Sequence, residues 1–177
     1  MTLDDATFDE IVNAHYAAVY RFAYSLAGQE EEAWDLTQES FAQLARKAAQ
    51  IQERARVKTW LFTTLYRAFV DRCRRRSRHP EVAVTLLEEQ LPAETAAPGE
   101  RLDAAEVLRA LNRLPDVFRA PLVLFYLEEH SYLEIAAILN VPPGTIMSRL
   151  SRGRKLLREW LTEAPTNASI PMAQILA

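Results

Sequence analysis

One cysteine, Cys73, stands in a chain of 177 residues, which excludes an intramolecular disulfide framework and any zinc site built from cysteines alone. The three histidines, His15, His79 and His130, are scattered without ligand spacing, so neither a metal nor another cofactor is expected. Glycine is scarce, 4 against 9 prolines, and this argues against a Gly-punctuated nucleotide-binding sheet. No cysteine–histidine pair, glycine-rich phosphate loop or HExxH segment appears, and the Glu128-Glu129 pair has no partner motif, so the chain reads as no enzyme. No apolar run approaches the roughly 18 residues of a membrane span, and the opening MTLDDATFDE is acidic where a secretory leader is basic and then apolar. What is abundant is Ala, Leu, Glu and Arg, with 49% apolar and 25% charged residues. Such a chain can bury a core, and its favoured state is helix. The expectation is an all-α protein, soluble and cytoplasmic, without membrane insertion.

The net charge of -3 conceals a segregation. Residues 1–45 carry nine acids against Arg21 alone, residues 46–78 carry eleven bases against Glu53 and Asp71, and residues 79–100 carry five glutamates and no base. A second basic cluster, five residues without an acid, lies within 145–158. Two basic islands parted by an acidic stretch point to two anion-binding surfaces. Arg72, Arg74, Arg75, Arg76 and Arg78 are too dense to be balanced by partners along their own helix.

Apolar spacing predicts helices over 8–27, 30–49 and 58–77. The first carries Phe8, Ile11, Val12, Tyr16, Val19, Tyr20, Ala23 and Leu26 and is closed by Gly28. The second turns Trp34, Phe41, Leu44 and Ala48 inward, and the third uses Trp60, Leu61, Leu65, Phe69 and Val70. These make a first domain, 1–78. Residues 79–100 hold three prolines and read as a flexible acidic linker. A second domain, 101–161, is expected to contain helices near 101–113, 116–128, 132–139 and 143–161, with Pro121 bending or loosening the second of these. Residues 162–177 read as a tail.

Residues 131–158 carry the sharpest motif. Ser131 and Glu134 form a capping box that starts a helix, Asn140-Val141-Pro142 makes a short turn, and Pro143 suits the first turn of the next helix. In that last helix Ile146, Leu150 and Leu157 face inward, while Thr145, Ser148, Arg149 and Arg152 share the other side. This is the layout of a helix-turn-helix, whose second helix enters the major groove. Arginine forks can pair with guanine and hydroxyls can reach phosphate or base, while Arg154, Lys155 and Arg158 suit backbone phosphate.

Three stretches together, DLTQESF (Asp35 to Phe41), KTWLFTTLYRAFVDRCRRR (Lys58 to Arg76) and Leu114 to Leu161, resemble the bacterial extracytoplasmic-function sigma factors, the two-domain initiation subunits of RNA polymerase. The resemblance implies sigma region 2 for the first domain and sigma region 4 for the second. By it, Asp35, Gln38, Glu39 and Phe41 would grip the coiled coil of the polymerase's largest subunit. Lys58, Tyr66, Arg67, Arg74 and Arg75 would hold the minus-ten element as it opens into single strands, aromatic rings and arginines together forming a stacking platform. Thr145, Ser148, Arg149, Arg152, Arg154, Lys155 and Arg158 would read the duplex minus-thirty-five element, and the second domain would also meet the polymerase flap. Family members are often silenced by an anti-sigma partner, and sigma linkers thread the basic channel of the polymerase. The chain departs from the family pattern at Tyr66-Arg67, where an Arg-Asn pair is common, in 51–57, which lacks a Gly-Asp pair, and at Met147, where lysine is usual. A free-standing helix-turn-helix regulator is the alternative; it explains the second domain and leaves the basic, aromatic helix 58–77 without a purpose.

Overall fold

The structure, a computed structural model, describes residues 5–47, 56–78, 111 and 113–163. Six helices are seen among the described residues: α1 (Asp5–Ala27), α2 (Glu30–Lys47), α3 (Val57–Arg78), α4 (Asp116–Tyr126), α5 (Tyr132–Leu139) and α6 (Pro143–Glu163). The linker, most of the helix expected at 101–113, and the segment 164–177 lie outside the described residues. So does Ala48.

The first lobe is the bundle α1–α3. Gly28, at φ 72°, lets its N–H return 2.8 Å to the Tyr24 carbonyl and ends α1 where a side chain would be strained. Glu30, Glu31 and Glu32 open α2 and Arg46 and Lys47 close it, both in keeping with the helix dipole. The buried stripe of α2 is Ala33, Leu36, Thr37, Ser40, Phe41 and Leu44. Trp34 is therefore not inward: it lies off that stripe and is 51% exposed. Thr37 and Ser40 sit within the stripe because each hydroxyl donates 2.7 Å to the carbonyl four residues back, leaving no unpaired polar group. On α3 Leu61, Leu65 and Phe69 are buried and Trp60 and Val70 half-buried, while Phe62, outside the expected stripe, is fully buried.

The second lobe is α4–α6. Its helix α4 ends at Tyr126, two residues short of expectation, and runs on through Pro121. The N–H that proline lacks would have met the carbonyl of Val117, whose residue is half exposed and within reach of water. The capping box forms as read: the Glu134 N–H donates to Ser131 Oγ at 3.3 Å, and the Ser131 N–H donates to Glu134 Oε2 at 2.8 Å. Asn140, left-handed at φ 53°, closes α5. Gly153 lets α6 approach α4, since a Cβ there would stand 2.9 Å from Leu122 Cδ1 and 3.2 Å from Phe118 Cβ.

The lobes touch. Helix α1 packs on α4 and α3 packs on α5, and the buried apolar residues of both lobes form one continuous cluster.

Candidate nucleic-acid and polymerase interfaces

Helix α6 presents the residues expected to read duplex DNA. Ile146, Leu150 and Leu157 anchor it to the lobe core, which fixes its rotation and leaves Ser148 and Arg152 exposed with Arg149 half-buried. The Ser148 hydroxyl donates 2.9 Å to the Thr145 carbonyl. Further along, Arg154 reaches the Tyr126 hydroxyl at 3.4 Å and Lys155 lies 3.9 Å from Glu159. These weak or exposed contacts leave both cations able to turn to a phosphate. Met147 is exposed on the same helix.

The basic end of α3 is more neutralised than its sequence implies. Arg76 clasps Glu32 with two bonds of 2.9 Å, and Arg72 meets Glu39 at 3.0 Å and Asp35 at 3.8 Å. The balancing acids come from α2, not from α3 itself, which is why spacing along one helix missed them. Arg67 and Arg75 keep no ion pair among the described residues, and Arg74 is only 3.8 Å from exposed Asp71. The five residues assigned to the minus-ten element do not form one patch. Arg67 and Arg75 line a cleft against α2 with Trp60, Gln43 and Lys47, whereas Tyr66 and Arg74 line an apolar groove with Phe69 and Cys73 that Asp116 of the other lobe borders. Lys58 stands apart at the start of α3, its ammonium donating 2.6 Å to the carbonyl of Glu128 across the lobe boundary.

On α2, Asp35 and Gln38 are exposed, Glu39 is half-exposed, and Phe41 is buried against Tyr16 with ring centroids 6.0 Å apart. Phe41 is thus a core residue of this structure. Trp34 takes the outer position beside Asp35 and Gln38, an apolar side chain on an otherwise acidic surface. The signal for it was the phase of the stripe: Ala33, Leu36, Ser40 and Leu44 repeat with helical spacing, and Trp34 falls out of step.

The lobe boundary holds groups that sequence reading did not single out. The Glu128 carboxylate, 3% exposed, accepts from Arg21 Nε at 3.1 Å and Nη2 at 3.2 Å. Burial pushes its pKa up, against the lowering effect of Arg21 and Lys58. His130, 2% exposed, sets its ring edge-on to Phe62 at 4.8 Å, and Phe62 in turn leans on Phe22 at 5.4 Å. Burial, and then the charge of Lys58, brings the His130 pKa down to about 4. Arg119 donates 3.3 Å to the Leu26 carbonyl at the end of α1, where a cation suits the helix dipole, and pairs with Asp116. No group of three or more His, Cys, Asp or Glu side chains able to hold a metal is found among the described residues, and no described helix is long and apolar enough to cross a membrane.

The family model for Sigma-70 region 2 matches residues 11–79, and that for Sigma-70, region 4 matches residues 104–157. The chain is 39% identical over 162 residues to the ECF RNA polymerase sigma factor SigE of Mycolicibacterium smegmatis, covering 89% of this chain and 62% of that one. It is 30% identical to the ECF RNA polymerase sigma factor SigW of Bacillus subtilis, covering 90% of this chain and 91% of the relative. Among solved structures, the sigma factor RpoE of Bartonella quintana, crystallised with the anti-sigma factor NepR, superposes with a TM-score of 0.75 at 30% identity, over 89% of this chain and 98% of that one. The fold also matches CnrH, solved with the cytosolic domain of CnrY, at a TM-score of 0.64 and 20% identity, over 92% of each chain.

Proposed function

Since the chain belongs to the extracytoplasmic-function branch of the sigma-70 family, and so directs promoter-specific transcription initiation with core RNA polymerase, we propose how its surfaces divide that task. The observation that carries the reading is α6: a capped helix-turn-helix, rotated by three buried anchors, that offers Arg149 and Arg152 with Thr145 and Ser148 at its leading end. This helix reads the minus-thirty-five duplex through its early residues, while Arg154, Lys155 and Arg158 hold phosphate. Arg67 and Arg75, beside Trp60, take the downstream single strand, and Lys58, Tyr66 and Arg74 are assigned to the same element by resemblance to the family. Trp34, Asp35, Gln38 and Glu39 form the polymerase surface, an exposed aromatic ring ringed by acids being suited to a basic partner helix. The chain performs no bond chemistry itself and works in the cytoplasm with the polymerase; an anti-sigma protein is a further expected partner, as for RpoE and its NepR.

The test is run-off transcription with core polymerase over a promoter library. Arg149→Ala and Arg152→Ala should each cost about 1–3 kcal/mol at the cognate upstream element and relax selection there. Unchanged upstream preference in both variants would remove α6 from the reading role.

A further inference from the structure

Among the described residues the large apolar side chains that stand in solvent are Trp34, Val117, Tyr132, Leu133 and Met147. Of these only Met147 belongs to α6, where it is the fifth residue of the helix and 57% exposed. Single exposed apolar residues are ordinary on a protein surface; what sets Met147 apart is its position. Ile146, Leu150 and Leu157 hold one side of α6 against the lobe, and Gly153 lies on that same side, closed over by Leu122 and Phe118. At about 100° per residue, Ser148 then falls opposite the anchors, with Met147 and Arg149 on its two flanks, roughly 160° apart. The Arg149 flank also carries Thr145 and Arg152. The Met147 flank carries Gly144 and Ser151, both exposed and small. The residues three and four positions from Met147 are Pro143, Gly144, Leu150 and Ser151, none of them charged. Open space surrounds Gly144, with nothing within 4 Å of where a Cβ would stand. The leading face of α6 is thus split into a cationic half and an apolar half, and the thioether rises from the second alone.

A duplex offers the two halves different partners. Arginine finds guanine O6 and N7, or phosphate. A thioether is only a weak acceptor, and pressing it against the polar atoms of a base edge takes water from them and returns little. The one apolar group that a base pair displays in the major groove is the C5-methyl of thymine. A docked α6 therefore gains most where a thymine methyl lies under Met147. The side chain is unbranched and adaptable, so it can meet the methyl without a fixed distance between helix and groove floor.

We infer that Met147 is a specificity-determining residue for the upstream element, selecting one thymine through its C5-methyl, at a base pair distinct from the one that Arg149 contacts. The inference rests on the functional reading above, in which α6 enters the upstream major groove. Burying one methyl group against the thioether favours thymine over its demethylated analogue by about fourfold. An arginine fork on guanine discriminates more strongly. Met147 thus adds one position of modest selectivity to a site whose main discrimination comes from the cationic half.

The experiment uses the full chain with core polymerase, at one fixed salt concentration. A cognate promoter from the run-off library is prepared with deoxyuridine in place of thymidine at each upstream position in turn, on either strand, which removes the methyl and leaves base pairing intact. Wild type should lose about fourfold in promoter binding at one of these positions. Met147→Ala should bind the thymidine and deoxyuridine promoters alike at that position, and so should Met147→Gln, which keeps the length of the side chain and replaces its apolar end. The side chain is exposed, so both variants fold, and retained helical circular dichroism checks this. Arg149→Ala should relax selection at a different base pair and keep the methyl effect. Wild-type indifference to the methyl at every thymine, or a methyl effect of equal size in Met147→Ala, overturns the inference and leaves α6 as the reading helix. If neither Arg149→Ala nor Arg152→Ala relaxes upstream selection, the functional reading falls and takes this inference with it.

Discussion

Acidification from pH 7 to pH 5 should cost the protein about 2 kcal/mol of unfolding free energy, most of it through His130. The ring is 2% exposed, lies against Phe62, and has no hydrogen-bond partner for Nε2 among the described residues. A proton there would put a charge into a buried site beside Lys58, offset only in part by the Glu134 carboxylate 4.0 Å from Nδ1, so the folded state holds the neutral ring down to about pH 4, against an ordinary value of 6.5. Because the folded value is the lower one, the stabilisation is whole above pH 6.5 and drains away as the pH falls toward 4. Two other carboxyls stand nearby. Glu134, held below the usual carboxylate range first by its bonds to Ser131, weakens the fold only at more acid pH. Glu128, pushed up by burial, gains from protonation and trims the loss. His15, lowered by burial and by Lys58, adds a smaller loss of the same sign. Urea unfolding of wild type and His130→Leu at both pH values isolates the effect: the wild type should lose stability steeply and the variant should keep only a shallow residual slope. Equal slopes in the two proteins would refute the argument.

Other outcomes follow from single contacts. Gly153→Ala should lower stability by about 1–2 kcal/mol, because the new Cβ meets Leu122 and Phe118 in a closed interface and overpacking outweighs the gain in helix propensity; a higher melting temperature would contradict this. Glu129→Gly should raise the unfolding free energy by about 0.5–1 kcal/mol, read as a higher urea midpoint, since a left-handed position is relieved and a carboxylate is removed from beside Glu128. Trp34→Ala should leave the melting temperature unchanged, the ring being exposed, and yet weaken co-elution with core polymerase. Reversing Asp35 and Glu39 to Lys is a less clean probe of the same surface, because both carboxylates also hold Arg72.

The parts of the fold that are local in chain were legible in the sequence. The Ser131–Glu134 capping box, the Asn140 turn, Pro143 at the start of α6 and the Ile146, Leu150, Leu157 anchors each depend on residues within a few positions of one another. Trp34 faces outward against expectation because phase outweighs side-chain size: the smaller residues Ala33, Leu36, Thr37 and Ser40 define the buried face, and the large ring lies outside it. The pairing of Arg72 and Arg76 with α2 is a tertiary fact that no spacing along α3 encodes. The lobe boundary is the part of the fold least legible in the sequence. Phe22 and Phe62 fall beside the expected stripes of α1 and α3, so each helix is apolar over more than one face, and that width is the mark of a second packing partner. Glu128 and His130 gave no sign at all, since a carboxylate and an imidazole at the end of a helix ordinarily face water.

The central claim, that this chain selects promoters only as part of a polymerase, is tested most directly by footprinting one promoter with the chain alone, with core polymerase alone, and with both. The account predicts protection of the upstream and downstream elements together, with opened and reactive bases at the downstream one, only when both proteins are present. Protection of a specific duplex site by the chain alone, unchanged when core polymerase is added, would contradict it and leave a free-standing helix-turn-helix regulator in its place.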